Sequence, residues 1–254
     1  MSLSDQYVEE YGLKIHTLNM KDSLRLIEEA VISRTSPVQH IVVNVAKLVN
    51  AQKDPQLRAA INNSDLVNID GLAVAWVLRW HGHHVQERVA GIDLFQNLIK
   101  LCSEKGFRPY FLGAKPDVVK RIVDVFQERF PLLQIAGYRD GYFSDDDAGQ
   151  VAEDIRSSQA DMLFVAITSP KKELFLDTYT SIMAIPFSMG VGGSFDVISG
   201  SVKRAPVWMQ KYGMEWFFRV LQEPRRMWRR YAVTNTTFLF LVLRRLLFKR
   251  RGHD

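Results

Sequence analysis

Asp70, in the run Asn68-Ile69-Asp70-Gly71-Leu72, puts a carboxylate on the turn that ends an apolar segment, where it can take or give a proton. Residues 65–69 read as a short strand, Gly71 permits a tight turn, and Ala73 to Trp80 resume helical spacing, so Asp70 sits at a strand-to-helix junction. Open parallel sheets bind ligands outside such strand ends. The competing assignment is an N-cap of the following helix, the commoner role for an Asp taken by itself.

Other loops add to that chemistry. Phe111-Leu112-Gly113-Ala114-Lys115-Pro116 reads as a strand, a glycine turn and a helix start, an arrangement that offers backbone N–H groups to phosphate, although it lacks the Gly-Lys-Ser/Thr ending of a Walker loop. Gly190-Val191-Gly192-Gly193-Ser194-Phe195-Asp196 pairs a pliable backbone with a carboxylate. Taken singly, each is also an ordinary turn. No histidine pair has metal spacing, and His81, His83 and His84 read as a solvated loop. There is no Gly-x-Ser-x-Gly elbow for a serine hydrolase. Asp145-Asp146-Asp147 follows Ser144 and reads as a helix start, where negative charge suits the dipole, rather than as a metal-binding Asp-x-Asp pair.

The elements that must position these residues alternate. Strands are expected at Ile41–Asn44, Leu66–Ile69, Pro109–Leu112, Gln134–Ala136, Met162–Ala166 and Phe187–Val191. Helical patterns fall at Asp54–Asn62, Ile92–Lys105, Asp117–Arg129, Asp145–Ser157 and Lys172–Tyr179. This alternation predicts an α/β class with a Rossmann-like parallel sheet, and a pocket built from the strand ends at Asn44, Asp70, Gly113, Gly137, Thr168 and Gly190.

With 254 residues, 47% of them hydrophobic, the chain can bury a sizeable core. The single cysteine, Cys102, excludes an internal disulfide and reads as a buried helical thiol. Residues 1–13 have no apolar run of the kind a secretory signal carries. The net charge of +5 is unevenly spread: from Lys203 onward there are 13 Lys and Arg against 3 acidic residues, and the chain before it is net acidic. That polarity suits a tail for an anionic membrane surface rather than a nucleic-acid binder. The expected organisation is therefore a core over 1–200 and a basic, aromatic appendage over 201–254. In the appendage Trp208, Trp216, Phe217, Phe218 and Trp228 interleave with arginines, which fits both a membrane–water interface and a helical lid packed on the core. Phe238 to Phe248 is apolar but interrupted by Arg244 and Arg245, so an interfacial helix is expected rather than a span, with Lys249-Arg250-Arg251 favouring an anionic leaflet.

Several separated segments, in order, resemble the WecG/TagA/CpsF family of bacterial glycosyltransferases from about Ile41 to about Tyr231. They include Asp54 to Asp70 with Ala60-Ile61-Asn62, Arg88-Val89-Ala90-Gly91-Ile92-Asp93-Leu94, Gly141-Tyr142-Phe143, Val191 to Asp196, Val202-Lys203-Arg204-Ala205-Pro206, Glu215-Trp216-Phe217-Phe218-Arg219 and Gln222-Glu223-Pro224-Arg225-Arg226. The resemblance implies an inverting, metal-independent enzyme, with no cofactor, that moves a hexose from a UDP-sugar to a polyprenyl-diphosphate-linked sugar. Such an enzyme would work as a peripheral protein on the cytoplasmic face of the inner membrane, building surface polysaccharide, with self-association as a homo-oligomer compatible with the resemblance. Asp70 matches the family's proposed general base. Asn44 and Arg88 match donor-sugar or diphosphate positions, and Tyr142 and Asp196 match nucleotide-site positions. Gly113, Ala114, Gly192 and Gly193 supply the flexible backbone for the nucleotide. Without a metal, the departing UDP needs cations, for which Arg88, Arg204, Arg219, Arg225, Arg226 and Arg229 are candidates.

The chain departs from the family pattern near the sugar pocket. Val42-Val43-Asn44 stands where Thr-x-Asn is common, and Ala166-Ile167-Thr168-Ser169-Pro170-Lys171-Lys172-Glu173 where Gly-x-Gly-Ala-Pro-Lys-Gln-Glu is common. Lys172 thus brings a cation in place of an amide. The departures point away from UDP-N-acetylmannosamine and toward another UDP-hexose, either glucose or a uronic acid whose carboxylate pairs with Lys172. The alternative is a non-catalytic nucleotide-sugar or lipid-binding protein of the same fold. The joint presence of Asp70, Asn44, Arg88 and Asp196 favours turnover.

Overall fold

The computed structural model describes residues 7–251. A short antiparallel hairpin, β1 (Tyr7–Glu10) and β2 (Leu13–His16), opens the chain and leads into α1 (Met20–Ser33). There follow β3 (Val38–Val43), α2 (Val45–Lys53), α3 (Pro55–Asn63), β4 (Leu66–Ile69), α4 (Leu72–Trp80), α5 (Gly91–Lys105), β5 (Pro109–Gly113), α6 (Pro116–Arg129), β6 (Gly137–Arg139), α7 (Ala148–Ser157), β7 (Met162–Ala166), α8 (Lys171–Met183), β8 (Phe187–Gly190) and α9 (Ser194–Ile198). The last elements are α10 (Val207–Lys211), α11 (Glu215–Gln222) and α12 (Pro224–Arg251).

Strands β3 to β8 form a 6-stranded sheet in the order β4-β3-β8-β7-β5-β6, and its neighbouring pairs are all parallel. Alternation along each strand sends side chains to opposite faces. Phe111 and Phe164 join the core of α1, α5 and α6 around Phe95 and Phe126, whereas Tyr110, Leu112, Leu163 and Val165 pack with α7 and α8. Val67, Ile69, Ile41 and Val43 pack with α2, α3, α4 and the hairpin. Both faces are therefore covered by helices, so these strands read as continuous apolar runs. Because the strands run the same way, the loops that follow them gather along one edge.

Several expectations need correction. The hairpin and α1 escaped the sequence reading; its turn residues Tyr11 and Gly12 have φ of 53° and 70°, the left-handed pair that two-residue hairpins favour. The sixth strand lies at Gly137–Arg139, not Gln134–Ala136. Gly137 opens it because a Cβ there would come within 2.7 Å of the Tyr110 ring, so what looked like a strand-ending glycine is a pairing position. His81 is not solvated: only 6% of its side chain is exposed, and it stands 3.4 Å from the buried Glu10 carboxylate, which also receives His83 at 2.8 Å. Cys102 is buried on α5 as expected, and burial, with Asp161 second, pushes its thiol pKa up.

The appendage folds back on the core. Phe238 and Leu241 on α12 pack against the cluster around Leu48 and Val85, Val242 is buried, and Arg245 pairs with Glu10 at 2.9 Å. The opposite side of α12 leaves Trp228, Val233, Leu239, Phe240 and Leu243 exposed. Among the described residues no helix is long and apolar enough to cross a membrane. The side chains of Lys249, Arg250 and Arg251 lie outside the described residues.

Candidate active site

The turn after β4 is built by its neighbour β3. The backbone N–H of Asp70 donates to Val43 O at 2.9 Å, and Arg88 Nη1 donates to Asp70 O at 3.2 Å. The Asp70 side chain does not cap α4, whose N-cap is Gly71 with no side-chain bond. Its Oδ1 instead accepts from the N–H of Gly91, the first residue of α5, at 3.1 Å. The carboxylate is thus held by the first N–H of a helix that starts 21 residues away in the sequence. The other oxygen, Oδ2, takes no part in that bond.

Asn44 adjoins this turn. A Cβ on Gly71 would come within 3.2 Å of the Asn44 Cα, so glycine lets the loops after β3 and β4 touch. The Asn44 side chain caps α2 by accepting from Lys47 N at 3.0 Å. Val42, which stands where a hydroxyl was expected, lies against Gly91, beside the N–H that holds Asp70.

The arginines divide into two groups. Arg88 donates to Glu215 Oε2 at 2.7 Å and to Gln210 O at 3.2 Å, which fastens the core to α10 and α11. Arg204 forms a fork on Asp93 at 2.7 and 2.9 Å. Burial works against the Arg204 charge, but the Asp93 hydrogen bond and charge, helped by Glu215 and Asp70, raise its pKa. Both guanidinium groups are therefore matched by carboxylates, and Glu215 and Asp93 are participants that sequence reasoning did not single out. Arg219 lies over the loop after β8: a Cβ on Gly193 would come within 3.3 Å of its Nη1 and 3.8 Å of Asp196 Oδ2. Arg225 and Arg229 are exposed on α12, and the Arg226 side chain is outside the described residues.

At the other end of the edge, Gly113 has φ of 123°, and a Cβ there would meet the Ala166 backbone at 2.5 Å. Ala114 does not offer its N–H to a phosphate as expected, because that N–H donates to Ala166 O at 3.0 Å. Tyr142 is 70% exposed next to this loop, with its N–H bonded to Asp140 Oδ1 at 2.8 Å. Five strand intervals separate β4 from β6, roughly 24 Å at about 4.8 Å each. Asp70 and Tyr142 therefore mark opposite ends of one long edge, with the loops after β8 and β7 between them. Asp147, in the acidic triplet, has its pKa lowered by hydrogen bonding with Ser144, and Asp145 pairs with Lys171 at 2.9 Å. Among the described residues no group of three His, Cys, Asp or Glu is placed to hold a metal ion.

Lys172 is not a free cation but part of a buried ion-pair cluster. It is 5% exposed and pairs with Glu173 Oε1 at 2.7 Å, while Lys47 Nζ reaches the same oxygen at 2.9 Å. Burial, then Lys47, lowers the Lys172 pKa to about 8. Burial works against the Glu173 charge, but the two lysines overcome it and hold the carboxyl well below its usual range. Lys47 was missed by sequence reasoning; its signal was a lysine in the first turn of an Asn-capped helix, where a cation opposes the dipole.

A parallel sheet covered by helices on both faces thus carries, at one edge, the Asp70 carboxylate and the Arg88–Glu215 link to the helical appendage. The chain belongs to the glycosyl transferase WecG/TagA/CpsF family, whose sequence model matches residues 8–252. It is similar to the N-acetylglucosaminyldiphosphoundecaprenol N-acetyl-beta-D-mannosaminyltransferase of Bacillus subtilis (strain 168), with 35% identity over 85% of this chain and 86% of that one. It is also similar to the enzyme of the same name from Bacillus spizizenii (strain ATCC 23059 / NRRL B-14472 / W23), with 38% identity over 71% of this chain and 69% of that one.

Proposed function

We propose that the protein transfers a hexose from a UDP-sugar to a polyprenyl-diphosphate-linked sugar, by direct displacement with inversion and without a metal ion. The observation that carries this reading is the Asp70 carboxylate, tethered by one oxygen to the first N–H of α5 at the sheet edge where the loops after the parallel strands gather. Its second oxygen would take the proton of the acceptor hydroxyl. The acceptor oxygen, as it loses that proton, forms the bond to the anomeric carbon, and the electron pair of the breaking glycosyl–phosphate bond leaves with UDP. The relatives' names supply the acceptor class, a diphosphoundecaprenol-linked amino sugar. The exposed Tyr142 beside Gly113 suits the uridine end, and the loops after β8 and β7 suit the span between. The sequence departs from the family pattern at Val42 and Lys172, which supports a hexose other than N-acetylmannosamine.

The exposed apolar side of α12, flanked by arginines, fits a peripheral position on an anionic membrane, where the lipid acceptor resides. The test is UDP release from a panel of UDP-sugars with a polyprenyl-diphosphate-sugar acceptor. Acceptor-dependent release from one donor is expected. Release from none would move the non-catalytic binding alternative to the front, and release from UDP-N-acetylmannosamine alone would refute the donor assignment.

A further inference from the structure

We propose that Lys47 and Lys172 form the subsite that receives the diphosphate of the nucleotide-sugar donor. The inference rests on the transferase reading above and adds residues to it. The two lysines stand in the first turns of α2 and α8, which follow β3 and β7, so they flank the end of β8 that lies between those strands. A Cβ on Gly190, the last residue of β8, would come within 2.4 Å of the Lys172 Cε, so the ammonium-bearing chain crosses that strand end only because glycine is there. Lys47 is one helical turn from Asn44, which adjoins the Asp70 turn. The cluster therefore belongs to the ligand edge and not to the remote core.

Its charge does not balance. Two ammonium groups share one oxygen of Glu173, at 2.9 and 2.7 Å, and Glu173 Oε2 is buried with no hydrogen-bond partner among the described residues. The lysines are 7% and 5% exposed and the glutamate 0%. A net positive charge is thus kept out of water at the positive ends of two helices, against burial, against the dipoles and against mutual repulsion. Stability alone would remove one of these lysines. The low Lys172 pKa, which Arg230 of α12 lowers further, shows how poorly this charge is compensated. By contrast Arg88 and Arg204 are already neutralised by Glu215 and Asp93. Lys47 and Lys172 share a single carboxylate, so an incoming phosphoryl oxyanion would complete their charge balance.

Calorimetric titration of the full chain at pH 7 with UDP, inorganic pyrophosphate, UDP-glucose and UDP-glucuronate tests the inference. Lys172→Met leaves a balanced Lys47–Glu173 pair, so its melting temperature should not fall, while UDP and pyrophosphate weaken tenfold to a hundredfold, as for loss of a charged hydrogen bond of about 1.5–3 kcal/mol. Lys172→Arg should retain binding. Wild-type affinity should decline above pH 8 and that of Lys172→Met should not. If Lys172→Met does not fold, Lys47→Met, which leaves the Lys172–Glu173 pair, is read in the same way. Equal UDP binding by the wild type and both methionine variants would overturn the subsite and leave the transferase reading standing. An effect confined to UDP-glucuronate would overturn the diphosphate assignment in favour of a sugar carboxylate. No binding of any probe to the wild type would overturn both readings.

Discussion

Asp70→Asn separates catalysis from folding because the bond to the fold uses only one of its two oxygens. The amide can keep an oxygen on the Gly91 N–H, the bond now made at 3.1 Å, so the turn should survive. What is lost there is the charge in that bond, worth about 1 kcal/mol. For a chain of 254 residues, that corresponds to a fall of roughly 2–4 °C in melting temperature. What is lost at the second position is the capacity to take a proton, which for general-base catalysis costs about 10²–10⁴ in rate, or roughly 2.7–5.4 kcal/mol in the barrier. Acceptor-dependent UDP release at saturating donor gives the rate, and scanning calorimetry gives the stability. Donor affinity should stay within about threefold, since the general-base step concerns the acceptor hydroxyl. A rate within about tenfold of wild type would refute Asp70 as base. A collapse in melting temperature would instead show that the carboxylate's main work is holding α5.

Three further outcomes follow from the geometry. Gly113→Ala forces a side chain into the Ala166 backbone at a φ of 123°; strain and overpacking together should cost about 2–6 kcal/mol in urea denaturation, and a loss under about 1 kcal/mol would refute the packing argument. The folded-state pKa of Lys172, about 8, lies below its ordinary value of 10.5. The unfolded chain therefore binds more protons between those values, so the stability of wild type relative to Lys172→Met should rise from pH 8 to 10.5, and a constant difference would contradict the burial of that charge. Leu239→Ser with Phe240→Ser alters residues that are 58% and 62% exposed, so melting should barely change while co-sedimentation with anionic vesicles falls; undiminished binding would dismiss this face as the membrane contact. These surface changes are a cleaner test than truncation after Tyr231, because truncation would also strip Phe238 and Leu241 from the core.

The strand positions of the sheet, apart from β6, were legible because fully buried parallel strands are short apolar runs between helical patterns. Asp70, Asn44, Gly113 and the Gly192-Gly193 loop could be placed at strand ends for the same reason. β6 and the terminal hairpin were not legible: β6 has only three residues, beginning with a glycine, and the hairpin depends on contacts with α3 and β4 far along the chain. Spacing also could not say that Asp70 caps α5 instead of α4, since its Gly91 partner is 21 residues away.

The sequence by itself determined the α/β class, the single edge on which the loops gather and the basic character of the appendage, since periodicity and composition are local properties. Only the tertiary structure decided which charges remain unmatched. Arg88 and Arg204 read as cations for a phosphate until Glu215 and Asp93 are seen to hold them. Lys47 reads as an ordinary helix residue until folding brings it to within 2.9 Å of a carboxylate that Lys172 already uses. Charge balance depends on distance and burial, and those are fixed when the chain closes on itself.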